Sequence, residues 1–393
     1  MGRARVDPVT IPGFTSTGSK RPSALFGQAL GADLPTWMVA SRGALVTDAA
    51  GRSYLDLVMA LGAVTLGYAH PEVVAAATDA VARGGVGSLA PVEEQALAER
   101  LRELLPWLER VRFLKTGAEA VTAAVRLGRV HTGRERVLGC GYHGWLDWSS
   151  RDPGVPVATL AATGSVPFND IEGTVRAIRG VSDELAVVVV EPVVEGAPGG
   201  EWLRTLRQET DRVGAVLVFD EVKTGFRVAV GGAVERWGVV PDLVVYGKGL
   251  ANGFPLAVVG GRAEVMEQCG RTWISSTLAT EYVSLAAAAA VVDVVVRDRV
   301  PEHLQRVGGL LFDGFAALAG QYPDLVTGVG GIPEMSFLRF RDDEIGGAIA
   351  QAVARRGVLF KRTAYNFVSL AHGEPEVALC LGALGEAFAE VGR

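Results

Sequence analysis

An acid and an amine follow two apolar runs in the middle of the chain. The run Ala215–Phe219 ends at Asp220, and the run Leu243–Tyr246 leads through Gly247 to Lys248. Short apolar runs bounded by turn residues are typical of strands buried on both faces, and open α/β sheets bind ligands just beyond the carboxyl ends of such strands. The sequence therefore predicts a site that contains the Asp220 carboxylate and the Lys248 amine.

An amine and a carboxylate in this arrangement suit pyridoxal phosphate. Lys248 would form a Schiff base with the cofactor aldehyde, and Asp220 would keep the pyridine nitrogen protonated so that the ring withdraws electrons. Once released, Lys248 would move a proton between substrate and cofactor carbons. A lone lysine between glycines is more often a solvated surface residue, so the hypothesis depends on the strand that precedes Lys248.

The segments Asp220–Arg227 and Pro241–Lys248 resemble the class III aminotransferases, and within them look closest to the branch typified by glutamate-1-semialdehyde aminomutase. The resemblance extends from about Ser19 to the C-terminus. It implies the fold-type I pyridoxal-phosphate architecture, an α/β fold with a large, mostly parallel sheet of the seven-stranded type and a smaller α+β domain. We predict an N-terminal arm and hairpin that join the small domain, a large cofactor-binding domain and a C-terminal small domain, at 1–57, 58–298 and 299–393.

The resemblance implies a phosphate-binding turn at Thr116-Gly117-Ala118, which stands where the family has Ser-Gly-Thr. A strand-to-helix turn presents backbone N–H groups and the positive end of a helix dipole to a phosphate. Because Ala118 can offer only its amide, part of the phosphate binding must come from elsewhere. Taken alone, this stretch is indistinguishable from a plain helix start.

The resemblance also assigns residues around the ring. Tyr142 would stack on the pyridine, Val222 would pack against one ring face, and Glu191 would lie near the ring hydroxyl. A core position is the alternative for Tyr142, and His143 is interpreted as structural. Glu195, close to Glu191 in sequence, would also lie near the ring hydroxyl, and Arg227 is either half of a structural ion pair or a site residue.

Ser276-Thr277 stands where, in the family, the neighbouring subunit reaches the cofactor phosphate. This implies an obligate homodimer with shared active sites; a helix N-cap is the alternative. Glu281 lies where the family has other residues and would face a substrate or solvent. Ala24 replaces the aminomutase's substrate-binding arginine, so Lys361-Arg362 could supply another anion clamp, although a solvated basic pair is the commoner explanation for such residues.

Composition and motifs argue against other classes. A net charge of −6 without a lysine-arginine block predicts no nucleic-acid partner. The apolar run Leu285–Val292 is too short to span a membrane, and no signal peptide is apparent. The three cysteines form no CxxC pair and no metal motif is present, so we predict no metal and a reducing cytoplasm. Gly139-x-Gly141-x-x-Gly144 matches a dinucleotide pattern, but no amphipathic helix follows, which argues against a nicotinamide cofactor.

Periodicity predicts the elements that position these residues. We expect a hairpin made by Trp37–Val46 and Ser53–Leu57, a strand at Val157–Leu160, and helices at Glu281–Val296 and Glu374–Val391, among others.

We therefore predict a cytoplasmic, homodimeric aminotransferase that uses pyridoxal phosphate. It would move an amino group from a donor, such as glutamate, to an aldehyde or ketone of a small metabolite. The absence of the arginine at Ala24 argues against the aminomutase's own substrate and leaves a sugar, a cyclitol or another specialised carbonyl compound. Two alternatives stay open: an intramolecular aminomutase of the glutamate-1-semialdehyde type, and a non-catalytic binding protein with the same fold.

Overall fold

The computed structural model of the chain describes residues 10–31 and 33–393. These residues form two compact units, a small one that ends at Leu61 and resumes with Arg306–Arg393, and a large one, Gly62–Gln305. We predicted domain boundaries after residues 57 and 298, and these boundaries stay predictions. The N-terminal arm predicted within residues 1–57 lies partly outside the described part, which holds a 3₁₀ turn at Gly18–Lys20. Across the described ranges, no helix has the length and apolar character needed to span a bilayer.

The small unit starts with a short helix, Pro22–Phe26, and an antiparallel meander. Its strands are β1 (Met38–Arg42), β2 (Leu45–Asp48) and β3 (Ser53–Asp56). The single strand predicted at Trp37–Val46 is wrong, because the chain turns at Gly43, whose φ of 58° favours glycine. The turn between β2 and β3 is closed by Asp48, whose carboxylate accepts the amides of Ala50 and Arg52.

The large unit is built on a seven-stranded sheet in the order β4-β10-β9-β8-β7-β5-β6. The four neighbouring pairs from β9 to β6 are parallel, whereas β10 pairs antiparallel with both β9 and β4. The mostly parallel sheet predicted from the family resemblance is thus confirmed. The strands are β4 (Arg110–Leu114), β5 (Arg136–Cys140), β6 (Thr163–Ser165), β7 (Leu185–Val190), β8 (Val216–Asp220), β9 (Leu243–Tyr246) and β10 (Ala257–Gly261).

Helices separate these strands. The longer ones are Pro71–Ala82, Val92–Leu104, Gly117–Thr132, Ile171–Arg179, Gly200–Val213 and Tyr282–Arg297. Short helices lie at Gly232–Trp237 and Ala263–Met266. The strand predicted at Val157–Leu160 is wrong: Val157–Ala161 is a helix, because Pro156 precedes it with an extended backbone and its alanines and leucine favour the helical state.

The chain returns to the small unit through the helix Val300–Gln321. A three-stranded sheet in the order β11-β12-β14 follows, while β13 pairs in parallel with β3 and so joins the N-terminal meander. The helices Asp343–Arg355 and Glu374–Val391 complete the unit. The four strands are β11 (Val326–Ile332), β12 (Met335–Phe340), β13 (Val358–Leu359) and β14 (Asn366–Phe367).

The central strands of the large sheet are buried along their whole length. Every residue of β7, β8 and β9 is buried. Strands that are covered on both faces have continuous apolar sequences. Burying each valine or leucine side chain stabilises the fold by about 1.5–3 kcal/mol. Because these three strands are parallel, their carboxyl ends lie at one edge of the sheet, where Asp220 ends β8 and Glu191 and Lys248 follow β7 and β9.

Candidate active site

Asp220, the last residue of β8, is buried and makes a short contact with a histidine. Its Oδ2 lies 2.8 Å from Nδ1 of His143, and its Oδ1 accepts the Val222 amide at 3.2 Å. His143 is also buried, stacks on Trp148 at 5.8 Å, and its Nε2 has no hydrogen-bond partner. Since Nδ1 donates to the carboxylate, the histidine holds Asp220 in a fixed orientation. The interpretation of His143 as merely structural is therefore incomplete, because it contacts the predicted cofactor carboxylate.

Lys248 lies two residues after β9, at the start of a 3₁₀ turn, Lys248–Ala251. Its φ of 37° is in the left-handed region, which is uncommon for a residue with a side chain and is found most often at functional sites. Lys248 is partly buried, and within the described part of the chain its amine has no hydrogen-bond or ion-pair partner. An unpartnered amine is available to react.

The surroundings of Lys248 lower the pKa of its amine to about 8. Burial is the largest cause, and the Lys223 ammonium is the next. The carboxylates of Glu191 and Asp220 act in the opposite direction, and Arg227 adds to the lowering. The neutral form of the Lys248 amine is therefore more populated near physiological pH than that of an ordinary lysine, and the neutral amine is the nucleophilic form.

Glu191 lies directly after β7, and each of its two carboxylate oxygens has a partner. Its Oε2 accepts the Tyr142 amide at 2.9 Å, and its Oε1 lies 3.0 Å from the Lys223 ammonium. The Tyr142 side chain is 71% exposed, so the alternative of a core aromatic is wrong and its ring is accessible to a ligand. Glu195 is also exposed. Sequence reasoning missed Lys223, although a lysine in an otherwise buried segment was a signal.

The predicted phosphate turn caps the helix Gly117–Thr132. Thr116 is the N-cap, and Glu119 accepts the Thr116 amide at 2.9 Å in a capping box. The first amides of a helix lack acceptors within it, so those of Gly117 and Ala118 are left for a ligand. A Cβ on Gly117 would lie 2.9 Å from Val222 Cγ2, so only glycine lets this turn approach Val222 so closely.

The segment before the helix Tyr282–Arg297 contains three predicted site residues. Ser276 is partly buried and Thr277 exposed, in turns that precede the helix. The N-cap is Glu281, which accepts the amides of Val283 and Ser284, so the N-cap alternative for Ser276-Thr277 is wrong.

Glu281 itself has a structural partner. Its Oε1 lies 2.5 Å from the Lys115 ammonium, and Lys115 also donates to the Pro255 carbonyl. Burial opposes ionisation of Glu281, but hydrogen bonds from Lys115 and Ser284 outweigh it and lower its pKa. Glu281 thus caps a helix and balances Lys115, and the prediction that it faces solvent or a substrate is not supported.

Arg227 and the pair Lys361-Arg362 have structural contacts. Arg227 is buried and donates to the carbonyls of Lys223 and Gly62, so its role is structural. In the small unit, Lys361 donates to the carbonyls of Ser19 and Ala24. Arg362 pairs with Asp343 and donates to the Ser23 carbonyl. Both side chains are buried, so the explanation as a solvated basic pair is wrong.

The chemistry of this edge fits pyridoxal phosphate. It offers an unpartnered amine, a buried carboxylate oriented by a histidine, an accessible tyrosine ring, and helix amides beside a glycine cradle. The dinucleotide pattern at Gly139 fails structurally, because the chain after β5 is irregular as far as Pro156. Among the described residues, no cluster of His, Cys, Asp or Glu is arranged to hold a metal ion.

Comparisons with known proteins agree with this chemistry. The Aminotransferase class-III family model matches residues 29–373. Glutamate-1-semialdehyde 2,1-aminomutase from Pyrobaculum islandicum is 33% identical over 373 residues, which cover 86% of this chain and 88% of that protein.

Solved structures show the same fold. A transaminase with PLP bound has a TM-score of 0.90 and 26% identity, over 98% of this chain and 96% of that one. The Sphingopyxis sp. MTA144 FumI protein, in its PLP internal aldimine form, has a TM-score of 0.91 and 28% identity, over 98% of this chain and 94% of that one.

Proposed function

Because the chain belongs to the class III aminotransferases, a family that uses pyridoxal phosphate, we propose that Lys248 is the residue that binds this cofactor covalently. When bound, pyridoxal phosphate forms a Schiff base with an amino group and withdraws electrons from the adjacent carbon. The observation that carries the proposal is the unpartnered Lys248 amine beside the buried Asp220–His143 pair, at the carboxyl ends of neighbouring parallel strands.

Each of the neighbouring residues has a distinct part in the proposal. Asp220 would face the ring nitrogen and keep it protonated, with His143 fixing the carboxylate. Val222 and Tyr142 would cover the two faces of the ring, and Glu191 would lie near its hydroxyl. Lys248, once free, would carry the proton between carbons, for which a pKa of about 8 is well matched.

The phosphate would bind at the turn Thr116-Gly117-Ala118, through the amides of Gly117 and Ala118. We propose that Ser276 and Thr277 of a second subunit complete this grip in a homodimer with shared active sites. Large exposed apolar side chains flank that segment, Trp273 at 82% and Leu278 at 53% exposure, which supports an interface there.

Subunit mixing tests the shared site. Lys248→Ala removes the amine, and Thr277→Glu places a negative charge against the phosphate of the neighbouring site. Neither homodimer should be active, but dimers refolded from a mixture should regain activity, because each mixed dimer keeps one site with both native groups. A mixture that stays inactive, although light scattering shows mixed dimers, would contradict the shared site.

For the acceptor, we propose an uncharged hydroxylated aldehyde or ketone, such as a sugar or cyclitol. Ala24 has no charge to bind a substrate carboxylate, and the cationic groups of Lys361 and Arg362 are already bound by carbonyls and Asp343. If Lys361-Arg362 instead formed an anion clamp, Lys361→Ala would raise the KM of carboxylate-bearing acceptors and leave that of uncharged ones unchanged.

An intramolecular aminomutase is the second candidate, and the name of the Pyrobaculum islandicum relative favours it. An aminotransferase releases a carbonyl product from the donor and aminates a different molecule, whereas an aminomutase moves the amino group within one molecule. Holoenzyme should therefore be incubated with single amino donors, glutamate first, and then with acceptors. We expect product only when donor and acceptor are both present; full turnover of glutamate-1-semialdehyde alone would establish the aminomutase.

We also propose a cytoplasmic location. The three cysteines are free, and Cys140 and Cys380 are buried. Burial raises the pKa of the Cys140 thiol to about 12, which keeps it protonated and unreactive. Free, inert thiols suit a reducing compartment; fractionation of the native host tests the location.

A further inference from the structure

Lys223 lies in the loop after β8, three residues beyond Asp220 in sequence, and is not explained by the roles assigned above. Its side chain is only 12% exposed, and that of its partner Glu191 only 6%. A lysine ammonium is strongly hydrated, so burying one requires a compensating interaction. A second cation buried beside the reactive amine therefore calls for an explanation.

Both members of this ion pair are held in place. Glu191 donates its amide to the Cys140 carbonyl at 2.8 Å and accepts the Tyr142 amide at 2.9 Å. The Lys223 carbonyl accepts Nε of Arg227 at 3.1 Å. The ammonium is thus fixed at 3.0 Å from Glu191 Oε1, at the same sheet edge as Lys248.

We propose that Lys223 is a positioning residue that favours the uncharged form of the Lys248 amine by placing a second ammonium at the same sheet edge, with Glu191 as its anchor. The proposal rests on the proposed function of Lys248. A cation beside a lysine disfavours a second positive charge, and paired cationic groups are one established way to activate an amine.

The charges around Lys248 support this assignment. The charged groups with the largest influence on its amine are Lys223 and Arg227, which favour the neutral form, and Glu191 and Asp220, which favour the charged form. Of these four charged groups, Lys223 has the largest influence on the Lys248 amine, and Glu191 has the next largest, in the opposite direction. The alternative is that Lys223 serves only as a structural counterion for Glu191.

The test is a pH titration of the holoenzyme's cofactor absorbance, which reports protonation of the Lys248 nitrogen. We expect Lys223→Gln to raise that pKa by about one unit, and Lys223→Arg to leave it within a few tenths. The double variant Lys223→Gln/Glu191→Gln should lie between Lys223→Gln and the wild type, because it also removes the opposing carboxylate. Lys115→Gln is the matched control: that lysine is 13% exposed and paired with Glu281, and it is not among the groups with the largest influence on Lys248.

A readout on the apoprotein covers variants that lose the cofactor. Amidination of Lys248 by methyl acetimidate, followed by mass spectrometry across pH, measures the neutral amine directly. An unchanged pKa in Lys223→Gln by both methods, with only a lower melting temperature, would overturn the inference. The absence of any Lys248-linked cofactor in the wild type would instead refute the proposed function, so the two failures are distinguishable.

Discussion

The neighbouring strands β8 and β9 have a buried carboxylate at their amino end, Asp242, and another at their carboxyl end, Asp220. The two carboxylates differ in how completely the surrounding residues pair with them. At the amino end, Asp242 pairs with Arg207 at 3.0 Å and Arg262 at 2.9 Å and accepts the Leu217 amide at 2.7 Å. At the carboxyl end, Asp220 has one histidine whose Nε2 lacks a partner, next to an amine whose pKa is lowered to about 8. The amino end satisfies its charges and so stabilises the fold, whereas the carboxyl end leaves groups that a ligand can satisfy.

The largest effect is expected for Lys248→Ala. This substitution removes the amine that binds the cofactor and carries the proton, so activity should fall by at least roughly 10²–10⁴-fold. Steady-state assays with donor and acceptor measure it, and circular dichroism should show an intact fold. Near-normal activity with a folded protein would place the chemistry on another residue.

The next effect is on cofactor affinity. Asp220→Asn removes the negative charge that would face the ring nitrogen, and breaking a buried ion pair costs about 3–5 kcal/mol. The cofactor Kd should rise by roughly 10²-fold to a few thousand-fold, measured by fluorescence titration of apoprotein. An unchanged Kd would refute the assignment of Asp220.

The same substitution at the amino end should act on stability. Asp242→Asn leaves Arg207 and Arg262 without their carboxylate, and we expect a loss of roughly 2–3 kcal/mol in the free energy of unfolding. Urea denaturation measures the loss. Cofactor Kd should stay at the wild-type value; if it rose as much as in Asp220→Asn, the two ends would not differ as described.

Removing the Lys248 amine should stabilise the apoprotein, whereas Asp242→Asn should destabilise the protein. Its pKa of about 8 in the folded state lies below the ordinary lysine value of 10.5, so the fold opposes the charged amine. That cost is fully present below about pH 8 and disappears as the pH rises towards 10.5. Lys248→Met should therefore raise the free energy of unfolding by on the order of 2 kcal/mol near neutral pH.

Melting temperatures across pH check this prediction. The gain in Lys248→Met should shrink above pH 8. Lys115→Met is the control, and it should be destabilised because Glu281 loses its counterion. A gain in stability that does not change with pH would contradict the stated cause.

The smallest effect is expected for His143→Phe. The ring keeps its stacking on Trp148 but loses the donor to Asp220. We expect roughly ten-fold weaker cofactor binding, the value of one hydrogen bond to a charged group. A loss as large as that of Asp220→Asn would mean that the histidine contacts the cofactor itself.

The strands and helices with a clear period were predictable from sequence. The structure contains Leu243–Tyr246 and Glu374–Val391 with the predicted bounds. The glycine-rich strand Val326–Ile332 was missed, because glycines carry no apolar pattern, and its pairing with Met335–Phe340 is not local information. The helix Ile171–Arg179 was also missed, although its N-cap Asp170 was a usable signal.

Within the site, residue types were predictable but pairings were not. Asp220 and Lys248 follow strands, so their shared edge followed from parallel topology. The contacts His143–Asp220 and Glu191–Lys223 join residues far apart in sequence, and no local pattern encodes them. Glu281 was misjudged for the same reason, since its partner Lys115 lies on another element.

The most direct test is to reduce the wild-type protein, supplied with pyridoxal phosphate, with borohydride and to map the modified peptide. The candidate sites are the lysines at Lys20, Lys115, Lys223, Lys248 and Lys361. We predict a single pyridoxyl adduct, on Lys248. An adduct on Lys223 or any other lysine, or none at all, would contradict the account.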